Sequence, residues 1–160
     1  MGSMSTTSQA ARVDRLVPYV HVADVEASLA FYAMLGFAAV NVMRDDAGRA
    51  FWALAATQKG ASGRGPGEIM FAQANPEVDP AVQAVLLYMY CDDVATLRAE
   101  LLAKGLYDGG VYYGGAAPNG GRGVVHALTR PAYMPGGEFR MCDPDGYVIL
   151  MGQLPAGHER

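Results

Sequence analysis

Short apolar runs alternate along the chain with longer segments whose apolar residues recur at helical spacing. The first such segment carries Val25, Leu29 and Tyr32 on one face and is bounded by Asp24 and Gly36. Asp is a favoured N-cap and Gly a favoured helix end, so the pattern predicts one helix between them. The apolar, β-prone runs around it predict four strands, at residues 16–22, 37–43, 50–56 and 68–73.

The second half of the chain repeats this pattern at a constant offset. Tyr19 falls on Tyr88, Asp24 on Asp93, and the predicted second helix ends near residue 105. Further strands are predicted at residues 85–91, 124–129, 138–142 and 147–153, with a short strand and a long Gly-rich loop at 107–123. We therefore divide the chain into a loose tail (1–12), a βαβββ module (13–75), a linker (76–82), a second βαβββ module (83–154) and a C-terminal tail (155–160). Residues 1–3 of the first tail resemble a cloning remnant.

Composition narrows the possible partners. The 160 residues are 51% hydrophobic and carry a net charge of −4, which argues against a nucleic-acid partner. No apolar run approaches the length of a membrane span, and no signal-peptide core precedes the first module, so we expect a cytoplasmic protein that does not bind membranes. The two cysteines, Cys91 and Cys142, lack metal-type spacing and are expected to be reduced thiols.

Three motifs resemble one known superfamily. Phe31-Tyr32 followed by Leu35-Gly36-Phe37 resembles the first module of the vicinal oxygen chelate proteins, and residues 143–147, Asp-Pro-Asp-Gly-Tyr, resemble their last hairpin. Residues 137–140, Gly-Glu-Phe-Arg, are typical of the bleomycin-resistance branch. The superfamily also includes glyoxalase I and the extradiol dioxygenases. The resemblance spans about residues 13–154 and implies an α+β fold, in which two βαβββ modules form a cupped, barrel-like mixed sheet with a central cleft.

The resemblance also implies where a metal would bind. Metal enzymes of the superfamily hold a divalent ion on His, Glu or Gln from the first and fourth strands of each module. The matching positions here are Val17, Met70, Leu86 and Leu150. Val and Leu have no donor atom, and the Met thioether is too soft for the metals of these enzymes. We therefore expect no metal and no other cofactor.

Strand alternation indicates which other side chains share the cleft face with these four positions. An apolar floor with an aromatic and polar rim suits a partly aromatic, amphipathic small molecule. Tyr112, Tyr113 and Tyr133 lie in or beside long loops and are candidates for a lid. The predicted ligand-binding residues are Val17, Tyr19, His21, Trp52, Glu68, Met70, Leu86, Tyr88, Tyr90, Tyr112, Tyr113 and Leu150.

These observations favour a metal-free binding protein that sequesters an antibiotic or toxin. The resemblance further implies a homodimer, with ligand clefts made by both chains. One alternative is a glyoxalase-like lyase, isomerase or dioxygenase that uses a metal or a base at His21 and Glu68. For Glu68, a solvated carboxylate at a strand end is the simpler interpretation. Another alternative is a closed core in which the cleft positions pack together and leave no cavity.

Overall fold

The computed structural model describes residues 11–13, 15–58, 66–74, 79 and 84–155. Most of the predicted N-terminal tail, most of the linker and residues 156–160 lie outside the described residues. The elements in chain order are β1 (Tyr19–Val22), α1 (Val25–Ala33), β2 (Ala38–Arg44), β3 (Ala50–Ala56), β4 (Glu68–Gln73), β5 (Leu87–Tyr90), α2 (Val94–Ala103), β6 (Tyr107–Gly110), β7 (Val124–His126), β8 (Glu138–Cys142) and β9 (Val148–Gly152).

The strands form two open sheets, one for each module. The first has the order β1-β4-β3-β2, and the second has the order β5-β9-β8-β7-β6. The α+β class with two tandem modules is therefore confirmed, but the sheets do not close into a barrel. The short strand predicted within residues 107–123 is present as β6, which pairs in parallel with β7 and gives the second sheet a fifth strand.

Both helices begin and end in the same way. The Asp24 side chain accepts a hydrogen bond from the Ala27 amide at 3.2 Å, and Asp93 accepts one from the Thr96 amide at 3.0 Å. Gly36 and Gly105 follow the helices with φ values of +91° and +99°, which residues other than glycine rarely adopt. The N-cap aspartates and the C-terminal glycines predicted from the sequence thus mark the ends of both helices.

The repeat is also visible in the strand register. Tyr19 lies opposite Met70 in the parallel pair β1–β4, and Tyr88 lies opposite Leu150 in the parallel pair β5–β9. Strand β1 is shorter than predicted, because Pro18 has no amide hydrogen to donate and pairing starts only at Tyr19. Strand β5 likewise starts only at Leu87, and the apolar residues before it are exposed.

The core lies on the helix side of each sheet. Phe71 and Ile69 pack on this side of the first sheet, and Phe139, Met141 and Ile149 occupy the same side of the second. Cys91 is partly buried and Cys142 is buried, and both are free thiols. Neither helix is long and apolar enough to cross a membrane, as far as the described residues go.

The two modules meet at the turn between β8 and β9. Its Asp145 carboxylate accepts a hydrogen bond from the Ala23 amide at 2.7 Å, and the Tyr147 phenol donates one to the His21 carbonyl at 2.7 Å. This turn therefore fixes the second module against the junction of β1 and α1.

Candidate functional site

The first sheet presents two rows of side chains on the face opposite α1. Tyr19, Met70 and Leu54 are lateral neighbours, and His21, Ala72 and Trp52 form the adjacent row. The intervening residues of each strand point into the core. The predicted face assignment for these strands therefore agrees with the pairing register.

A cavity of about 410 Å³ opens on this face. Its lining includes three predicted ligand-binding residues, Tyr19, His21 and Trp52, while Met70 lies outside it. The Tyr19 and His21 rings meet edge to face with centroids 5.6 Å apart. The remaining lining residues are Met43, Phe51, Ala72 and Gln73. The lining side chains are thus aromatic or apolar apart from His21 and Gln73.

Glu68 and Val17 lie apart from this cavity. The Glu68 carboxylate accepts hydrogen bonds from the Arg15 guanidinium and forms an ion pair with it. Glu68 lies opposite Ala56, four residues along β4 from Ala72, which is the neighbour of His21. The structure therefore pairs Glu68 with Arg15, and the suggested His21–Glu68 pair is not formed. Val17 precedes β1 and is partly buried.

The second sheet carries a buried carboxylate on its own open face. Glu138 is only 6% exposed and accepts hydrogen bonds from the Tyr88 and Tyr133 phenols, the latter at 2.9 Å. Partial burial and the bond to Glu138 raise the pKa of the Tyr88 phenol above its usual value. Gly152 lies between Tyr90 and Glu138 in the sheet, and a Cβ there would meet the Tyr88 hydroxyl at 2.9 Å. The missing side chain at Gly152 therefore lets Tyr88 reach across to Glu138.

Arg140 continues the neighbouring row of the same face. It lies opposite Leu150, which in turn lies opposite Tyr88. The Tyr112 ring covers the guanidinium, with the carbon Cζ 4.2 Å from the ring centroid. Tyr112 also meets the buried His126 edge to face at 5.1 Å. Tyr112 thus closes over this sheet, while Tyr113 beside it is 89% exposed.

The predicted site residues therefore form two separate groups within one chain. Tyr19, His21 and Trp52 surround the cavity of the first sheet. The second group lies on the open face of the other sheet and consists of Tyr88, Tyr90, Leu150 and the loop residue Tyr112. Leu86 precedes β5 and is 47% exposed.

Sequence reasoning did not assign Met43, Phe51 or Arg140 to the site. Arg140 had a usable signal, because the turn at residues 143–146 fixes the hairpin register and so places it beside Leu150. Met43 lies opposite Trp52 in the β2–β3 pair, but the register shifts on both sides of that pair hide this position from simple alternation.

The side chains of the site provide few atoms that could coordinate a metal ion. Within the described part of the chain, no three His, Cys, Asp or Glu side chains lie close enough together to hold one. Met70 and Leu150, two of the four positions that the superfamily pattern implies, lie on the open faces and bring no oxygen or nitrogen ligand. A hard divalent metal would therefore have to bind through other residues.

Comparison with solved structures identifies the fold. A bleomycin-binding protein complexed with bleomycin gives a TM-score of 0.59 at 22% identity, over 89% of this chain and 100% of the other. A glyoxalase-related enzyme from Clostridium phytofermentans gives 0.61 at 12% identity, over 92% and 99%. TnmS3, an antibiotic binding protein from Streptomyces sp. CB03234, gives 0.57 at 19% identity, over 91% and 100%. No protein-family model and no curated protein matches the chain.

The chain therefore has the fold of bleomycin-resistance proteins and glyoxalase-related enzymes. The resemblance to the vicinal oxygen chelate superfamily, which three short motifs carried, is confirmed at the level of the fold.

Proposed function

We propose that this protein binds a partly aromatic, amphipathic small molecule without a metal, and that it acts by sequestering an antibiotic or toxin. The observation that carries the proposal is the cavity lined by Tyr19, His21 and Trp52. Its volume of about 410 Å³ falls within the range of roughly 300–1,000 Å³ that is usual for ligand pockets. A filled core without a cavity is therefore the weaker interpretation.

The chemistry of the lining suits a flat aromatic ligand that carries a few polar groups. Trp52 and Tyr19 offer aromatic faces, and each stacked pair contributes about 1 kcal/mol beyond the burial of apolar area. Met43 adds a flexible side chain that adapts to irregular shapes. His21 and Gln73 supply the few polar contacts that would orient the ligand.

Proteins of the same fold suggest the first ligands to test. One neighbour binds bleomycin and another is an antibiotic binding protein, although both are under 25% identical to this chain. Sequestration requires only stoichiometric capture, so it needs neither a catalytic base nor a Lewis acid. The two free thiols, Cys91 and Cys142, suit the reducing cytoplasm as the place of action.

We further infer that a second copy of the chain completes the ligand cleft. The open faces of both sheets expose large side chains, with Tyr19 at 52%, Tyr90 at 54% and Leu86 at 47% exposure. Exposed aromatic and apolar side chains that cluster on a surface often mark a site for a protein partner or a ligand. Pairing the first sheet of one copy with the second sheet of another would bring the two groups of site residues together.

The alternative of a glyoxalase-like lyase, isomerase or dioxygenase has less support. Its proposed base pair was His21 with Glu68, and the Arg15 ion pair engages Glu68 instead. His21 keeps its place in the cavity lining, where it contacts Tyr19. It is better placed to orient a ligand than to share a proton with a carboxylate.

Fluorescence of Trp52, the only tryptophan of the chain, gives a direct test. Metal-free bleomycin and a panel of planar aromatic antibiotics are titrated while the tryptophan emission is followed. We expect a saturable change for at least one compound at about one molecule per chain. The variant Tyr19→Leu should weaken that binding about fivefold, which corresponds to the loss of one stacking contact of about 1 kcal/mol.

Tyr107→Leu is the matched control, because Tyr107 is also 52% exposed but lies on β6 of the other sheet. The control should bind as the wild type does. The proposal is wrong if no compound changes the emission saturably, or if both variants weaken binding equally.

A further inference from the structure

We propose that Arg140 binds an anionic group of the ligand, so that the preferred ligands are planar aromatic acids. This inference rests on the proposed binding function and specifies the chemistry of its ligand. It comes from the open face of the second sheet, which the inferred pairing of two copies would bring against the cavity of the first sheet.

Arg140 is held in a defined orientation. Its side chain is partly buried, and the Tyr112 ring lies 4.2 Å from the guanidinium carbon. Stacking of this kind covers one flat face of the guanidinium and leaves the N–H donors at its edge available. The edge of a guanidinium matches the two oxygens of a carboxylate or sulfonate.

Arg140 forms no ion pair with any carboxylate in the described part of the chain. Four other arginines there form ion pairs with carboxylates: Arg15, Arg44, Arg49 and Arg98. Arg122 and Arg130 donate to backbone carbonyls. Arg140 has neither a hydrogen bond nor an ion pair with any described residue, and its one defined contact is the Tyr112 ring. Because this partly buried guanidinium has no carboxylate partner among the described residues, it is suited to bind an anionic group of a ligand.

Glu138 is the carboxylate that could have neutralised Arg140, since it lies on the same face of β8 two residues away. Its two oxygens instead accept hydrogen bonds from different phenols, Oε2 from Tyr88 and Oε1 from Tyr133. The two phenols thus bind the Glu138 carboxylate, and the Arg140 guanidinium beside it forms no ion pair with that carboxylate.

The surroundings of Arg140 favour an aromatic body next to the anionic group. Leu150 is its lateral neighbour and Tyr88 lies beyond Leu150 in the same row. The Tyr88 and Tyr90 rings are 5.1 Å apart, so they extend the apolar surface away from the charge. A planar ring system would lie on these residues while its acidic group meets the guanidinium edge.

Two probes of the same shape separate charge from stacking, namely 2-naphthoate and its neutral amide, 2-naphthamide. Binding of each to the full chain is measured by calorimetry for the wild type, Arg140→Met and Arg49→Met. The Met substitution keeps an apolar stem of similar length. Arg49→Met is the matched control, because it removes the same charge from an exposed ion pair in the β2–β3 turn.

We expect the wild type and Arg49→Met to bind the naphthoate at least tenfold more tightly than the amide, and Arg140→Met to lose this preference while it still binds the amide. Equal affinity of the wild type for both probes would overturn the anion site and leave aromatic binding intact. Failure of both probes to bind would overturn this inference and count against the proposed function as well. Thermal unfolding confirms that each variant folds, and Arg140→Gln replaces the Met variant if that variant does not.

Discussion

The Tyr32 phenol donates a 2.9 Å hydrogen bond to Oδ2 of Asp143, which lies 111 residues further along the chain. Both side chains are fully buried, and the bond connects α1 of the first module with the β8–β9 turn of the second. Oδ1 of Asp143 accepts two backbone amides of its own turn, those of Asp145 and Tyr147, each at 2.9 Å. One carboxylate therefore fixes both the turn and the contact between the modules.

We expect this buried carboxylate to make stability depend on pH. Burial raises the pKa of Asp143 from its ordinary value of 3.8 to about 6, and its hydrogen bonds offset only part of this rise. Between these two values the folded state holds a proton that the unfolded state has lost, so stability falls as pH rises through this window. The loss at neutral pH amounts to about 3 kcal/mol, and it is absent below about pH 4.

Asp143→Asn isolates this effect, because the amide oxygen still accepts the two turn amides and no charge is buried. The free energy of unfolding of the wild type, relative to the variant, should fall by about 3 kcal/mol between pH 4 and pH 7.5. Urea unfolding at several pH values measures it. Comparison with the variant removes the opposing contributions of Asp45, Asp93 and Asp108, whose pKa values are lowered mainly by backbone hydrogen bonds. A difference that stays constant with pH would contradict the prediction.

Gly136 allows a close backbone approach that no side chain would permit. A Cβ at this position would lie 2.2 Å from the Gln153 carbonyl oxygen, and that oxygen belongs to backbone that cannot simply rotate away. The Gln153 side chain accepts a hydrogen bond from the Val94 amide at 2.9 Å, so any shift would also disturb the start of α2. We expect Gly136→Ala to lower the free energy of unfolding by about 1–3 kcal/mol.

Gly115→Ala provides the comparison for this substitution. A Cβ at Gly115 has no atom within 4 Å, and its φ lies outside the positive range that excludes side chains. Alanine there should be neutral or stabilise by up to about 1 kcal/mol, because it restricts the unfolded chain. Thermal unfolding of both variants tests the pair. Equal melting temperatures would show that the backbone at Gly136 relaxes without cost.

The elements that could be predicted from the sequence are those whose ends are determined by residues close to them in the chain. The predicted bounds of β3, β4 and β8 match the structure, and both helices lie between the predicted Asp caps and Gly stops. Strands β1, β5 and β7 were predicted too long, since apolar residues continue beyond the point where a partner strand is available. Beyond the end of β7, pairing with β8 is reduced to an isolated bridge between Thr129 and Glu138.

The arrangement of the site depended on contacts that sequence spacing does not encode. Alternation placed Tyr19 and His21 on one face of β1, and the strand register agrees with this placement, because side chains of a regular strand alternate with a period of two. Trp52 was a ligand-binding candidate that alternation alone did not assign. The contact of Tyr112 with Arg140 depends on the path of a long loop, and the two bonds to Glu138 depend on the space above Gly152. The separation into two open sheets was also not visible, since the repeat defines two modules without fixing how they meet.

That separation leads to a prediction about assembly. The apolar side chains before and along β5 lie at the edge of the second sheet, where Leu86 and Tyr90 are both about half exposed. If a second copy covers this edge, the protein should sediment in analytical ultracentrifugation at twice the mass of one chain at micromolar concentration. Leu86→Glu would then place a charge in the interface and shift the protein towards the single chain, because an unpaired buried charge costs several kcal/mol. The control Tyr113→Glu adds the same charge on a loop where the side chain is 89% exposed, and it should leave the mass unchanged. A wild type that sediments as a single chain at all concentrations would contradict the inference that a second copy completes the ligand cleft.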